Sequence, residues 1–235
     1  MRLVITVTPC ASYSIETDFE YKLRGLLYST IQDTHPMYHN SEVPAFTFSD
    51  ILPPTNELES NESYQIIISS YTESVLESMA ESLQSERVNV GEVSFKVIDV
   101  TKQSPAIGSS GTVKTETGVY CAIPNEKQYD TFWKPDEHSV ATFIDILESE
   151  LDRRVDLLTE YDSSNRDFSV FNSVEFIRMK ARPYQIATDT THTFITSKWN
   201  LSYEIQNELH YTYLQIAFSL GVGTKNSLGL GFLWK

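Results

Sequence analysis

The end of the chain, Gly221-Val-Gly-Thr-Lys-Asn-Ser-Leu-Gly-Leu-Gly-Phe-Leu-Trp-Lys235, constrains the fold more than any other stretch. Gly221, Gly223, Gly229 and Gly231 fall within eleven positions and flank the polar run Thr224-Lys225-Asn226-Ser227. The preceding residues, 211–220, are apolar enough for a buried helix, and 228–234 read as a terminal strand. The fold must therefore seat a glycine-dense loop between its last helix and last strand. Glycine has no Cβ, so such a loop can bring backbone N–H groups close to a phosphate, and Lys225 adds a cation. A Walker A loop does not fit, because the lysine is followed by Asn226 and the order is helix, loop, strand. A dinucleotide fingerprint does not fit either, because Asn226 stands where its third glycine belongs. The alternative is a plain helix-to-strand turn with glycine caps.

At 235 residues the chain can form one large domain or two compact ones. No apolar stretch approaches the ~20 residues of a membrane span. Residues 1–10 alternate like a strand and lack a signal peptide's apolar core, so a cytoplasmic protein without a membrane partner is expected. Cys10 and Cys121 are too few and too far apart for a zinc cluster, and are expected to be reduced, buried thiols. The net charge of −14 counts against a nucleic-acid partner. The distribution weakens that objection. Residues 176–235 hold six cations against three acids, while much of the acid lies in 57–92 and 136–167.

Period-two and helical patterns give an order of elements. Residues 2–8 read as a strand. A helix follows, capped by Thr17 or Asp18, with Phe19, Leu23, Leu26, Leu27 and Ile31 recurring at helical spacing. The loop after it, 33–41, contains Pro36, which breaks a helix. Strands are predicted at 45–51, 64–70 and 88–100, with a helix over 72–84 between the last two. Residues 101–117 read as a linker or hairpin. The order then repeats: strand 118–123, helix 137–158, strands 170–180 and 194–205, helix 206–220, the glycine loop and a last strand. This predicts an α+β protein of two tandem ferredoxin-like (RRM-like, β-α-β-β-α-β) domains with antiparallel sheets, over 1–104 and 113–235.

Several motifs on this frame resemble the CRISPR repeat-cleaving endoribonucleases of the RNA-processing RAMP superfamily. They are Arg24-Gly-Leu-Leu-Tyr28 at the end of the first helix, a histidine in the next loop, and the aromatic stretch Phe46-Thr-Phe48. To these add the basic strand Ile177-Arg-Met-Lys-Ala-Arg182 and the run Gly223-Thr-Lys-Asn-Ser-Leu-Gly229. The resemblance implies cleavage of CRISPR precursor RNA within its repeats to give crRNA, without metal or cofactor, by attack of a ribose 2′-hydroxyl on the adjacent phosphate. It also implies a CRISPR surveillance complex as a further partner.

Such a reaction needs a base, an acid and a charge-stabilising group. Histidine titrates near neutrality and suits either proton transfer. By position, His39 is the first choice and His35 the second, with Tyr28 as helper. The family's lysine soon after the histidine is missing, since Glu42, Val43 and Pro44 stand there, and Lys22 or Arg24 is the substitute on offer. Arg178, Lys180 and Arg182 fall on one strand face at period two. With Lys198, Gly221, Gly223, Lys225, Asn226, Ser227, Gly229 and Gly231 they form the expected RNA track. His138, His192 and His210 have no zinc-ligand spacing. The alternatives are a non-catalytic crRNA-binding subunit of a CRISPR effector complex, and a nucleotide-binding or scaffold protein.

Overall fold

Strands β1 (Arg2–Pro9), β5 (Tyr64–Ser69) and β7 (Val93–Gln103) build the centre of the first sheet in a computed structural model of the chain. The structure describes the backbone of residues 1–16, 18–31, 42–84, 87–123, 132–187 and 190–235. β1 runs antiparallel to both neighbours, pairing Ile5 with Ile66 on one side and with Val100 on the other. The short β3 (Thr47–Phe48) and β6 (Arg87–Val90) complete the order β3-β5-β1-β7-β6. The two-residue strands β2 (Tyr13–Ser14) and β4 (Glu57–Leu58) pair separately. The alternation of β1 sends Leu3, Ile5 and Val7 into one core with Leu23 and Leu27 of α1 (Phe19–Ser29). The same core takes Val75, Leu76, Met79 and Leu83 of α2 (Glu73–Leu83). Phe19 closes edge-on against Phe95 at 6.3 Å.

The second sheet has the order β11-β8-β10-β9, from β8 (Ser110–Thr115), β9 (Ser173–Ala187), β10 (Thr190–Glu204) and β11 (Leu233–Trp234). Its helices are α3 (Val140–Leu158) and α4 (Glu208–Leu220). Ser139 caps α3 by accepting from the Thr142 N–H, and Asn207 caps α4 by accepting from the His210 N–H. The core is aromatic: Phe143 stacks on Trp199 at 3.9 Å, with Trp133 and Phe176 packed against the same indole. Arg166 bonds Asp152 and Glu148, and the Tyr213 hydroxyl donates to Asp152 at 2.7 Å, fastening α3 to α4.

Both sheets show the ferredoxin-like arrangement, with the first and third strands of each β-α-β-β-α-β run (β1 and β5, β8 and β10) adjacent and inside; in the first sheet β6 adds an edge beyond β7. The contacts divide the chain into one unit of Met1–Pro105, Pro183–Thr193 and Ser227–Gly229, and a second of Ala106–Arg182, Phe194–Asn226 and Leu230–Lys235.

Several local expectations change. Residues 88–100 are not one strand. They fold as the β6–β7 hairpin, turning at Gly91, whose φ of +60° suits the first central position of a two-residue turn. The second sheet starts at Ser110–Thr115, inside the stretch read as a linker or hairpin, whereas residues 118–123 make isolated bridges, Val119 with Ser197 and Tyr120 with Thr224. The last strand shrinks from seven residues to Leu233–Trp234: residues 226–228 coil as a 3₁₀ turn, and 229–231 continue as a turn. Cys121 is buried but Cys10 is exposed, just past the end of β1. No described helix is long and apolar enough to cross a membrane.

Candidate functional site

The glycine loop is built around a residue of α3. Arg154 sits on the inward stripe of that helix with Phe143, Leu147, Leu151 and Val155 and is 1% exposed. It donates to the Gly221 carbonyl at 2.7 Å and to the Gly223 carbonyl and Asn226 Oδ1 at 2.5 Å each. Burial lowers its pKa to about 10, which still leaves it cationic at neutral pH. Asn226, also buried, donates through Nδ2 to the carbonyls of Val222 at 3.0 Å and Leu230 at 2.8 Å.

Contrary to the expectation from the sequence, the glycines do not present open backbone. Gly221, Gly223, Gly229 and Gly231 are buried and all have positive φ. A Cβ on Gly231 would stand 1.9 Å from the Val222 carbonyl oxygen. One on Gly223 would stand 2.6 Å from Val119, and one on Gly229 would meet the Phe48 ring. The N–H groups of Val222, Thr224 and Gly231 donate to Gly231, Tyr120 and Gly118 carbonyls. Close approach here is of protein on protein. Lys225 remains exposed, held at φ 60° between Thr224 and Asn226, and Ser227 is half-buried.

The basic strand is partly as expected. Arg178 and Lys180 are exposed on β9, but Arg182 is buried. Its place on the strand face was legible, its burial was not. Lys198 is half-buried and donates to the Glu116 carbonyl at 2.6 Å. Lateral neighbours connect β9 to the loop: Thr196 Oγ1 donates to the Lys180 carbonyl, Ser197 bridges to Val119, and Tyr120 bridges to Thr224. Three strand spacings of ~4.8 Å set the Lys180 backbone roughly 14 Å from the loop that carries Lys225. Sequence reasoning missed Arg154. The available signal was an arginine at an inward position of a mostly apolar helical stripe.

In the first unit, Tyr28 lies in the last turn of α1, half-buried, with its ring 4.9 Å from that of the buried Phe46. The Arg24 guanidinium lies 5.1 Å from the Tyr28 ring centroid, one helical turn before it. Lys22 is engaged elsewhere: its ammonium is 2.8 Å from Asp18, and that hydrogen bond raises its pKa above the ordinary lysine value. Of the two substitutes for the missing lysine, Arg24 is the one grouped with Tyr28. His35 and His39 lie outside the described residues. His138 accepts from the Lys134 N–H, and His210 stacks on Phe168 at 4.5 Å. Among the described residues, no three His, Cys, Asp or Glu side chains come together to hold a metal ion.

The chain thus holds two antiparallel ferredoxin-like units, with a clamped glycine-rich loop between its last helix and its last strand. Residues 100–234 match the family model "CRISPR associated protein Cas6, C-terminal", and the chain belongs to the Cas6 family. Over 99% of its length it is 28% identical to the CRISPR-associated endoribonuclease Cas6 of Haloferax mediterranei, covering 92% of that protein. It is 23% identical to the CRISPR-associated endoribonuclease Cas6 2 of Methanocaldococcus jannaschii, over 99% of this chain and 98% of that one. Among solved structures, a CRISPR associated protein Cas6 superposes with a TM-score of 0.75 at 18% identity, covering 100% of this chain and 98% of the other. A RAMP protein described as binding different RNA substrates gives 0.73 at 18% identity, over 99% and 98%. These structural likenesses bear on the fold.

Proposed function

We propose that this protein is an endoribonuclease that cuts CRISPR precursor RNA within its repeats to yield crRNA. The observation that carries this reading is the Cas6 family match, extended by similarity along almost the whole chain to two proteins named as Cas6 endoribonucleases. In the proposed mechanism the ribose 2′-hydroxyl attacks the adjacent phosphate without a metal ion. His39, or failing it His35, exchanges the proton, Tyr28 orients the reacting groups, and Arg24 answers the growing charge on the phosphate. Arg178, Lys180 and Lys225 grip the RNA backbone. The protein works in the cytoplasm and hands its crRNA to a CRISPR surveillance complex.

A second reading has one observation in its favour. The family's lysine position is vacant in this sequence, as expected of a subunit that holds crRNA without cutting it. A single 2′-deoxy nucleotide just upstream of the scissile phosphate separates the two readings and tests the mechanism. Binding should persist, because one hydroxyl adds little beside many phosphate contacts. Cleavage of the deoxy RNA should vanish. Unmodified RNA should be cut in excess EDTA, leaving a 2′,3′-cyclic phosphate and a 5′-hydroxyl. Cutting of the deoxy substrate, or a 5′-phosphate product, would overturn the 2′-hydroxyl mechanism. Tight binding with no cutting of either RNA would establish the crRNA-holding subunit.

A further inference from the structure

Burying a guanidinium is unfavourable unless its donors are satisfied, and an apolar side chain of similar volume usually packs as well. Arg154 occupies a position on α3 where its stripe neighbours Leu147, Leu151 and Val155 would be matched by such a residue. Its carboxylate neighbour, Glu150, is 4.0 Å away and lies nearer to Arg153, at 3.0 Å. Its close acceptors are two loop carbonyls and one amide oxygen, at Gly221, Gly223 and Asn226. These three residues bracket Lys225. Asn226 then passes the restraint to both ends of the loop, through the carbonyls of Val222 and Leu230. Lys225 itself holds φ 60°, a left-handed conformation that lysine does not favour on its own.

We infer that Arg154 is a positioning residue for RNA binding: its planar fork holds the backbone on both sides of Lys225 and so aims that lysine at the RNA. The inference rests on the proposed reading that the loop contacts an RNA backbone. A lysine at 154 keeps the charge but is a point donor and does not reproduce the fork. The contribution of geometry is therefore separable from that of charge.

The test is a double-mutant cycle on the full chain, with a fluorescein-labelled oligouridylate as probe so that backbone contacts dominate. One phosphate contact on a single strand contributes about 0.7 to the salt slope and about fivefold in affinity at about 0.1 M salt. Lys225→Ala should show that loss. Arg154→Lys should show a similar loss, and Arg154→Lys/Lys225→Ala should bind no worse than either single variant. Leu147→Ala, a core change elsewhere on the same helix, should lower the melting temperature without changing affinity. Amide exchange should quicken in residues 223–227 of Arg154→Lys and not in α4. If Arg154→Lys does not fold, Asn226→Ser weakens the same clamp from its other side and should show the same non-additivity with Lys225→Ala. Wild-type affinity in a folded Arg154→Lys beside a weakened Lys225→Ala would overturn the inference alone. So would additive losses in the double variant. Wild-type affinity in Lys225→Ala would instead overturn the reading that places this loop on RNA.

Discussion

The two ferredoxin-like units reach their last strands by different routes. In the first, the chain leaves α2, turns once at Gly91 and lays down β7, eleven residues long. In the second, it leaves α4 at Gly221, passes through the clamped loop and ends in β11, two residues long. Both routes need glycines with positive φ, but for different reasons. Gly91 is exposed, and a Cβ there would meet the side chain of Lys22, whose outer atoms can move aside. Gly221, Gly223 and Gly231 face backbone carbonyls that cannot. The contrast shows that glycine density in this family member marks interior packing of a loop. Lys225 is the exposed residue of that loop.

Gly231→Val should break the contrast most severely. It combines a branched residue at φ +72° with an overlap at 1.9 Å against the Val222 carbonyl. The expected loss exceeds about 4 kcal/mol, a large part of a domain's whole stability. Thermal melts should find little folded protein. Gly91→Ala should cost about 1–2 kcal/mol, the left-handed penalty alone. Equal losses at the two positions would remove the distinction between an open turn and a packed loop. Gly223→Val belongs with Gly231→Val: it should act by unfolding, through Val119 and Tyr120, and not by blocking RNA.

The proposed roles divide along the same boundary and can be set against each other. His39→Ala should slow cleavage by on the order of 10²–10⁴ while leaving RNA affinity near wild type. Tyr28→Phe and Arg24→Ala should cost less. A dead His35→Ala beside an active His39→Ala would reverse the choice of histidine. Changes in the second unit should do the opposite. Arg178→Ala with Lys180→Ala removes two exposed cations and should flatten the salt slope by about 1.4, roughly 25-fold in affinity at about 0.1 M salt. Arg182 is left out of that pair because it is buried, so its loss would disturb folding as well. Unchanged affinity in the pair would remove β9 from the RNA track.

The order of elements was legible because it rests on local periodicity, which Leu3, Ile5 and Val7, or Val75, Leu76 and Met79, display without help from the rest of the chain. Strand ends were less so. Residues 88–100 alternate throughout, and the single glycine that folds them into a hairpin looks like a tolerated interruption. Residues 118–123 have strand composition, yet they meet β10 through the bridge of Val119 with Ser197, while residues 110–114 form the ladder along 200–204. At the candidate site, residue types and chain neighbourhood were readable: Tyr28 near Arg24, and alternating cations on β9. Burial was not, because it depends on contacts across 67 to 72 positions, as between Arg154 and the loop. That is why Arg182 and the glycines were expected outside and are found inside.

The smallest effect concerns the two thiols, one in each unit. Cys10 is exposed and should react with iodoacetamide in the folded protein, while Cys121, 2% exposed, should react only on unfolding. Burial raises the Cys121 pKa, and Glu150 adds to the rise. The sign follows from proton uptake. Above the unfolded thiol's pKa of roughly 8.5, the unfolded chain has lost this proton and the folded chain retains it. The folded state then loses stability as pH rises, by up to about 1.4 kcal/mol per pH unit from this one group. Other groups titrate in the same range, so the quantity to follow is the difference between wild type and Cys121→Ala. Urea melts between neutral and mildly alkaline pH should show the wild type falling faster. Parallel pH profiles for the two proteins would mean that the thiolate is accommodated in the second core, and that this core is less closed around residue 121 than around Trp199.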